Sequence, residues 1–341
     1  MQKIIDVLSG NKADIPPVWM MRQAGRHLPE YIKVRNTTSS FIDFCFDSQK
    51  AAKVTLQPID RYDMDAAILF ADILLVPIAL GRNVSFEKGI GPKLDPLSIK
   101  DICNFQINTD ILKPVYETVR KVRKKLHNNK TLIGFCGGPW TVATYMLEGK
   151  GTNNKELAKT FAYKNEDAVN DLLDYLVHIS AEYLIKQAEA GADVLQIFES
   201  WASDLSPILF NKLVIKPTKK IINRVRDAGI TVPIIGFPKN CGLSIKDYVK
   251  SSGISAIAVS TETPLDQIRR IIPRNMAIQG NLDPLALRVG GKTLKNQVQY
   301  VLDKASGPHI FNLGHGVTPD VKIENIKAVI SHIRTGEGNY V

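Results

Sequence analysis

Eight short runs rich in Val, Ile and Phe recur along the chain, each followed by a polar or glycine-bearing turn and then by an amphipathic stretch. They are PVWMM (17–21), AAILF (66–70), TLIGFCG (131–137), DVLQIF (193–198), VPIIGF (232–237), AIAVS (256–260), MAIQGN (276–281) and HIFNLG (309–314). Near-continuous apolar runs of this length suit parallel strands covered on both faces. The connecting stretches have helical periodicity. Residues 154–191 carry a periodic apolar stripe, broken into two helices, that stops at Gly191. Residues 206–229 open on a Ser206 cap followed by Pro207 and end at Gly229, and TPLDQIRRIIP (263–273) repeats the Thr-Pro opening on a smaller scale. Alternating strand and helix implies a parallel sheet, and right-handed crossovers can close eight such units into a single-domain (β/α)8 barrel. A doubly wound open sheet is the competing architecture, but no G-x-G-x-x-G or Walker-type loop follows any run.

In such a barrel the carboxyl ends of the strands share one mouth, where the chemistry is kept. The residues falling there are Arg22 and Arg26, Asp72, the GGPWT turn (137–141), Ser200, Asn240, Thr261, Glu262, Asp283 and His315. Donors outnumber acids. The segment WMMRQAGRHLPEY (19–31) is the most unusual, because two arginines follow an apolar run with no Asp or Glu between Asp14 and Glu30. Either the pair faces water or it awaits an anion, since guanidinium matches an oxyanion bidentately. Gly25 between them lets backbone approach a ligand. Arg35 is a third contact or a structural residue. Asp72, within LFADILL, is either a helix cap or a functional carboxylate, as a bare carboxylate in apolar surroundings is costly. In GFCGGPWTVATYMLEG (134–149) the glycines indicate close backbone packing against a ligand or the facing strand.

Composition changes this picture in one respect. The 341 residues are 44% hydrophobic and 23% charged, an ordinary globular balance, but the formal net charge is +10, which favours an acidic partner. The basic run VRKVRKKLHNNK (119–130) contains no aromatics for stacking bases and reads as a solvated helix face rather than a nucleic-acid patch. No apolar run approaches the roughly 18 residues of a membrane span. The N-terminus lacks a signal-peptide pattern, so a cytoplasmic protein is expected. Cys45, Cys103, Cys136 and Cys241 form no C-x-x-C pair and have no His at ligand spacing, so reduced structural thiols and no metal site are expected.

PPVWMMRQAGRHLPEY and GFCGGPWTVATYMLEG resemble the two signature segments of the uroporphyrinogen decarboxylases. AAILFADILL, QIFES, AIQGNLDP and NLGHGVTPD resemble further blocks of that family in the same order, so the likeness runs from about Pro16 to Asp320. The resemblance implies a (β/α)8 barrel that acts without a cofactor, usually as a homodimer. Its reaction removes the four acetate carboxylates of uroporphyrinogen III as CO2, leaving the four propionates of coproporphyrinogen III. By motif, Arg22, Gln23, Ala24, Gly25, Arg26 and Arg35 match substrate-carboxylate contacts. Asp72 matches the central aspartate that accepts from the pyrrole N–H groups, and it is implied catalytic together with Arg22 and Arg26. Tyr145, Ser200 and His315 match the remaining polar contacts. Two positions depart from the family pattern: His27 stands where a Tyr is usual, and VSTET (259–263) replaces a usual Leu-Asp-Trp.

Two other readings make different demands. A corrinoid-linked methyltransferase of the same barrel type would need a His-x-Cys zinc motif, which the sequence lacks. A non-catalytic basic module for nucleic acid or tetrapyrrole would place its contacts over the surface rather than at strand ends.

Overall fold

A computed structural model describes residues 2–87, 91–152 and 154–340. Among these residues the strands are β1 (Ala66–Ile68), β2 (Val84–Glu87), β3 (Gly91–Leu94), β4 (Thr131–Gly137), β5 (Val194–Glu199), β6 (Ile234–Pro238), β7 (Ala256–Ala258), β8 (Ala277–Gln279) and β9 (His309–Ile310). Seven form one curled parallel sheet in the order β1-β4-β5-β6-β7-β8-β9. The order follows the chain without reversal, so a doubly wound sheet, whose order switches partway, is excluded. All seven residues of β4 are buried, as expected for a parallel strand covered by helices. The small antiparallel pair β2–β3 was not legible in the sequence, and its connection, residues 88–90, lies outside the described residues.

The first apolar run, 17–21, makes single bridges rather than a ladder. Phe311 N–H donates to Pro17 O (2.9 Å) and Trp19 N–H to Phe311 O (3.3 Å). On its other side, Asp65 N–H donates to Val18 O (2.8 Å), while Val18 N–H donates to Asp65 Oδ2 (2.8 Å). The segment therefore touches both the β1 side and the β9 side of the sheet.

Side-chain parity decides what the sheet encloses. Gly134 and Gly236 face the helices: a Cβ would lie 2.6 Å from Gln187 Oε1 at Gly134, and 2.7 Å from the Tyr248 ring at Gly236. Their neighbours Phe135 and Phe237 therefore point inward, where both meet Phe198 edge-to-face at 5.5 and 6.1 Å. Elsewhere in the interior, Trp19 Nε1 donates to Gln279 Oε1 (3.0 Å) and Gln279 Nε2 to Gln196 Oε1 (3.2 Å), giving these buried polar groups partners.

The helices follow their signals. Residues 154–191 contain two helices, Glu156–Lys164 and Glu166–Glu189, and Gly191 beyond them takes φ +114. Ser206 Oγ accepts from Leu209 N–H (3.3 Å) with Pro207 at the first helical position, and the helix ending at Asp227 is followed by Gly229 at φ +79. The basic run lies largely on helix Lys113–Lys125, which buries Val115, Tyr116, Val119 and Val122; its Arg123 pairs with Asp193 at 2.7 Å. Asp65 is 6% exposed, so replacing it leaves the Val18 N–H buried without its acceptor. Asp65→Ala is expected to destabilise the fold by about 1–3 kcal/mol in equilibrium urea unfolding. An unchanged midpoint would mean that this tie contributes nothing.

Candidate active site

The arginine segment is fastened at both ends and open between them. Met21 N–H donates to Asn312 Oδ1 (3.0 Å) and Val317 N–H to Met21 O (2.9 Å), tying the loop to the segment that carries His315. Arg22 takes φ +61, and its side chain lies over Gly316, where a Cβ would sit 2.4 Å from Arg22 Cδ. Only a glycine fits under that guanidinium stem. Gln23 is 1% exposed; its Nε2 donates to Ala66 O (2.9 Å) and its Oε1 accepts from Met20 N–H (3.0 Å). Its side chain is thus committed to holding the loop. Among the described residues, the N–H groups of Ala24, Gly25 and Arg26 have no protein acceptor.

Neither Arg22 nor Arg26 has a carboxylate within ion-pair distance among the described residues, and both are exposed. Glu30, the next acid in the chain, is taken by Arg61 in a two-pronged contact (Nε–Oε1 2.6 Å, Nη2–Oε2 2.8 Å). Arg35 is partly occupied: its Nη1 donates to Thr38 O (3.2 Å) and Thr38 Oγ1 (2.8 Å), and its guanidinium lies 6.0 Å from the Phe44 ring. His27, in the usual Tyr position, is 9% exposed and stacks on Tyr62 at 6.4 Å. Burial lowers its pKa to about 4, so it serves as a neutral ring in the core.

Asp72 follows β1. Its Oδ1 accepts from Leu74 N–H (2.8 Å), so the sequence's two readings, cap-like turn and functional carboxylate, are compatible. The residue is half-buried, next to the apolar stretch that follows it. Burial raises its pKa to about 6, against the Leu74 hydrogen bond and the charge of Arg22. It stays mainly ionised at neutral pH, without an ion-pair partner among the described residues. Tyr145, on helix Pro139–Glu148, is half-buried and packs edge-to-face on Trp201 at 5.4 Å. Burial and then the Asp72 charge raise its phenol pKa, so it is a neutral donor. His315 is pushed down to about 3 by burial and by the charges of Lys239 and Arg22, and is therefore a neutral imidazole. Arg22 is thus felt by Asp72, Tyr145 and His315 together, and Ser200 stands half-buried at the end of β5.

Other strand-end residues have different tasks. Asp283 Oδ1 caps the helix at Leu285 N–H (2.8 Å). Asn240 and Glu262 are exposed, and Asn240 N–H donates to Ser260 Oγ (2.8 Å). Thr261 lies against Gly314, where a Cβ would meet Thr261 N at 2.2 Å. Of the two glycines of the GGPWT turn, Gly138 serves the facing strand, where a Cβ would lie 2.1 Å from Glu199 Oε2, and Gly137 makes room for Val142 and Ile73. Glu199 is fully buried, and its Oε1 accepts from both Thr141 N–H (2.6 Å) and Thr141 Oγ1. That hydroxyl in turn accepts from Trp201 N–H (3.1 Å), so Glu199 fixes the helix start and the turn beside Tyr145. Burial raises the Glu199 pKa to about 8. Sequence reasoning missed Glu199, Phe198 and Lys239. Strand parity could have found Lys239, since it is the inward neighbour of the outward Asn240.

Among the described residues no three His, Cys, Asp or Glu converge as a metal site, and no helix is long and apolar enough to cross a membrane. The chain matches the family model described as uroporphyrinogen decarboxylase (URO-D) over residues 1–336. It is 48% identical over 334 residues to the uroporphyrinogen decarboxylase of Maricaulis maris, with 97% of each chain covered. It is 47% identical over 337 residues to that of Mesorhizobium japonicum, again with 97% of each covered. Its fold is similar to a methyltransferase from Methanosarcina mazei, with a TM-score of 0.80, 19% identity and 97% coverage of each chain. That likeness concerns the fold alone; the sequence match is what carries the assignment, and this chain belongs to the uroporphyrinogen decarboxylase family.

Proposed function

We propose that this protein decarboxylates the four acetate side chains of uroporphyrinogen III to methyl groups, giving coproporphyrinogen III and four CO2. One observation carries the reading: a half-buried, ionised Asp72 shares a mouth with arginines that lack carboxylate partners among the described residues. A porphyrinogen brings what each lacks, carboxylates for Arg22 and Arg26 and pyrrole N–H donors for Asp72. The open amides of Ala24, Gly25 and Arg26 would take part in the same carboxylate contacts, while Arg35 would reach one only by leaving Thr38. Tyr145, Ser200 and His315 supply neutral hydrogen bonds around the macrocycle.

The chain is read as one domain, a closed (β/α)8 barrel with residues 17–21 as the first of eight strands. Support comes from the hydrogen bonds that this segment makes toward both β1 and β9. A cytoplasmic homodimer is part of the proposal. Leu157, Tyr163, Ile208 and Leu243 are 63–89% exposed, and all follow the carboxyl ends of β4, β5 or β6. Ile208→Glu combined with Leu243→Glu is expected to halve the mass seen by sedimentation equilibrium. A wild-type monomer, or an undisturbed dimer of the double variant, would remove this part.

In each round a proton adds to a ring carbon, and the pyrrole becomes a cation able to accept the electrons of the breaking C–C bond. CO2 leaves and an exocyclic methylene remains. A second proton converts it to methyl as the ring carbon gives up the first, so each round consumes one proton. A carboxylate near the cation contributes about 4 kcal/mol at 4 Å and an effective dielectric near 20. That corresponds to roughly a thousandfold in rate. Proximity and exclusion of water supply the rest.

Asp72→Asn is therefore expected to lower kcat by about a thousandfold with a much smaller change in KM. Near-wild-type turnover would sink the role. The wild-type kcat should fall as pH drops through about 6, where Asp72 takes up its proton. His315, already neutral there, should contribute no limb near its ordinary 6.5. The stability effect has the opposite sign. A folded carboxyl pKa of about 6 lies above the ordinary 3.8, so folding favours the protonated form. That contribution is complete below the ordinary pKa and is lost as pH rises through 6. At pH 7.5 the Asn variant should melt no lower than wild type, and a lower Tm would show that the ionised carboxylate supports the fold.

A further inference from the structure

β6 ends at Pro238, and the alternation that turns Gly236 toward Tyr248 and Phe237 toward Phe198 turns Lys239 toward the interior of the mouth. Its backbone is pinned there: Lys239 N–H donates to Glu199 O (3.1 Å), directly beside Ser200. The side chain is half-buried, and among the described residues it makes neither a hydrogen bond nor an ion pair. The other lysine of this region, Lys155, is 2% exposed and fully engaged with Ser203 and Asp204. Burial and the nearby charges of Arg22 and Lys155 weaken the Lys239 ammonium, and exposed Glu262 opposes them only in part. A half-buried ammonium beside an unpaired guanidinium and a neutral imidazole is unfavourable until an anion arrives.

We infer that Lys239, with Arg22 and His315, forms a carboxylate subsite of the decarboxylase, and that it holds a propionate, a carboxylate the reaction does not consume. The inference rests on the decarboxylase reading. Propionate follows from position. Asp72 follows β1 and Lys239 follows β6, three strands further along the sheet, so Lys239 stands away from the reacting acetate. A fixed group used in all four rounds must meet a carboxylate present in all four, and only the propionates persist. Lys239 therefore binds and orients substrate and product alike.

The test measures Lys239→Met and Lys239→Arg in anaerobic turnover of uroporphyrinogen III, with coproporphyrinogen III, which carries propionates only, as inhibitor. Losing one charge-assisted contact should raise the methionine variant's KM about ten- to a hundredfold. Its kcat should stay within about threefold of wild type, because the contact is equal in ground and transition states. The inhibition constant for coproporphyrinogen III should rise by a similar factor. Arginine should recover most of both losses. Tm should hold or rise in the methionine variant, since no native ion pair is removed, whereas a structural role would lower it. An unchanged KM, a loss confined to kcat, or an unchanged inhibition constant overturns the inference. If the methionine variant does not fold, a KM unchanged in Lys239→Gln does the same. Wild-type protein that fails to decarboxylate uroporphyrinogen III would instead overturn the underlying reading, whatever the variants do.

Discussion

The constraint that organises this mouth is a half-buried carboxylate left without an ion-pair partner among the described residues. Burial raises the Asp72 pKa, yet the Leu74 amide and the field of Arg22 keep it mainly ionised at neutral pH. A charge in that state is expensive to hold, and it becomes useful when a cation develops beside it. The surrounding groups are consistent with that use. Removal from water, which perturbs Asp72, also raises the Tyr145 phenol and lowers the His315 imidazole, so both keep to their neutral forms. The remaining positive charge sits on Arg22, Arg26 and Lys239, which can meet the carboxylates of a polyanion.

The scaffold beneath serves this arrangement through close packing rather than through long hydrogen-bond ladders. Several strands are only two or three residues long, and alternate residues carry the organisation. Gly134, Gly138 and Gly236 face outward or across to a neighbour and admit Gln187, Glu199 and Tyr248 respectively. Their inward neighbours build the interior, with Phe198 meeting both Phe135 and Phe237. Glu199 then links the end of β5 to the helix that carries Tyr145 through the backbone N–H and hydroxyl of Thr141.

Much of this was legible in the sequence because apolar runs and turn residues obey local rules. Seven of the eight runs overlap the strands of the large sheet, and the glycine stops and the Ser206 cap fall where they were read. Hairpin β2–β3 was not legible: Val84–Glu87 alternates between exposed and half-buried residues and has no apolar run to announce it. Gln23 was read as one unit with the arginine loop, and its burial on Ala66 O, 43 positions away, carries no local signal. Asn240 was preferred to Lys239 because strand ends cannot be fixed to one residue from apolarity, and a shift of one residue exchanges inside for outside. The ion pair between Glu30 and Arg61 spans 31 positions and carries no local signal, yet it explains why Arg22 and Arg26 remain available. The VSTET segment, divergent from its family, packs through Thr261 against the glycine that precedes His315, so its differences bear on the placement of that histidine.

The most direct measurement is a carboxylate count. Purified, metal-free protein is incubated anaerobically with uroporphyrinogen III, and the products are oxidised and separated by chromatography. The account predicts passage from eight carboxylates through seven, six and five to four. Folded protein that binds the macrocycle and leaves all eight in place would contradict it.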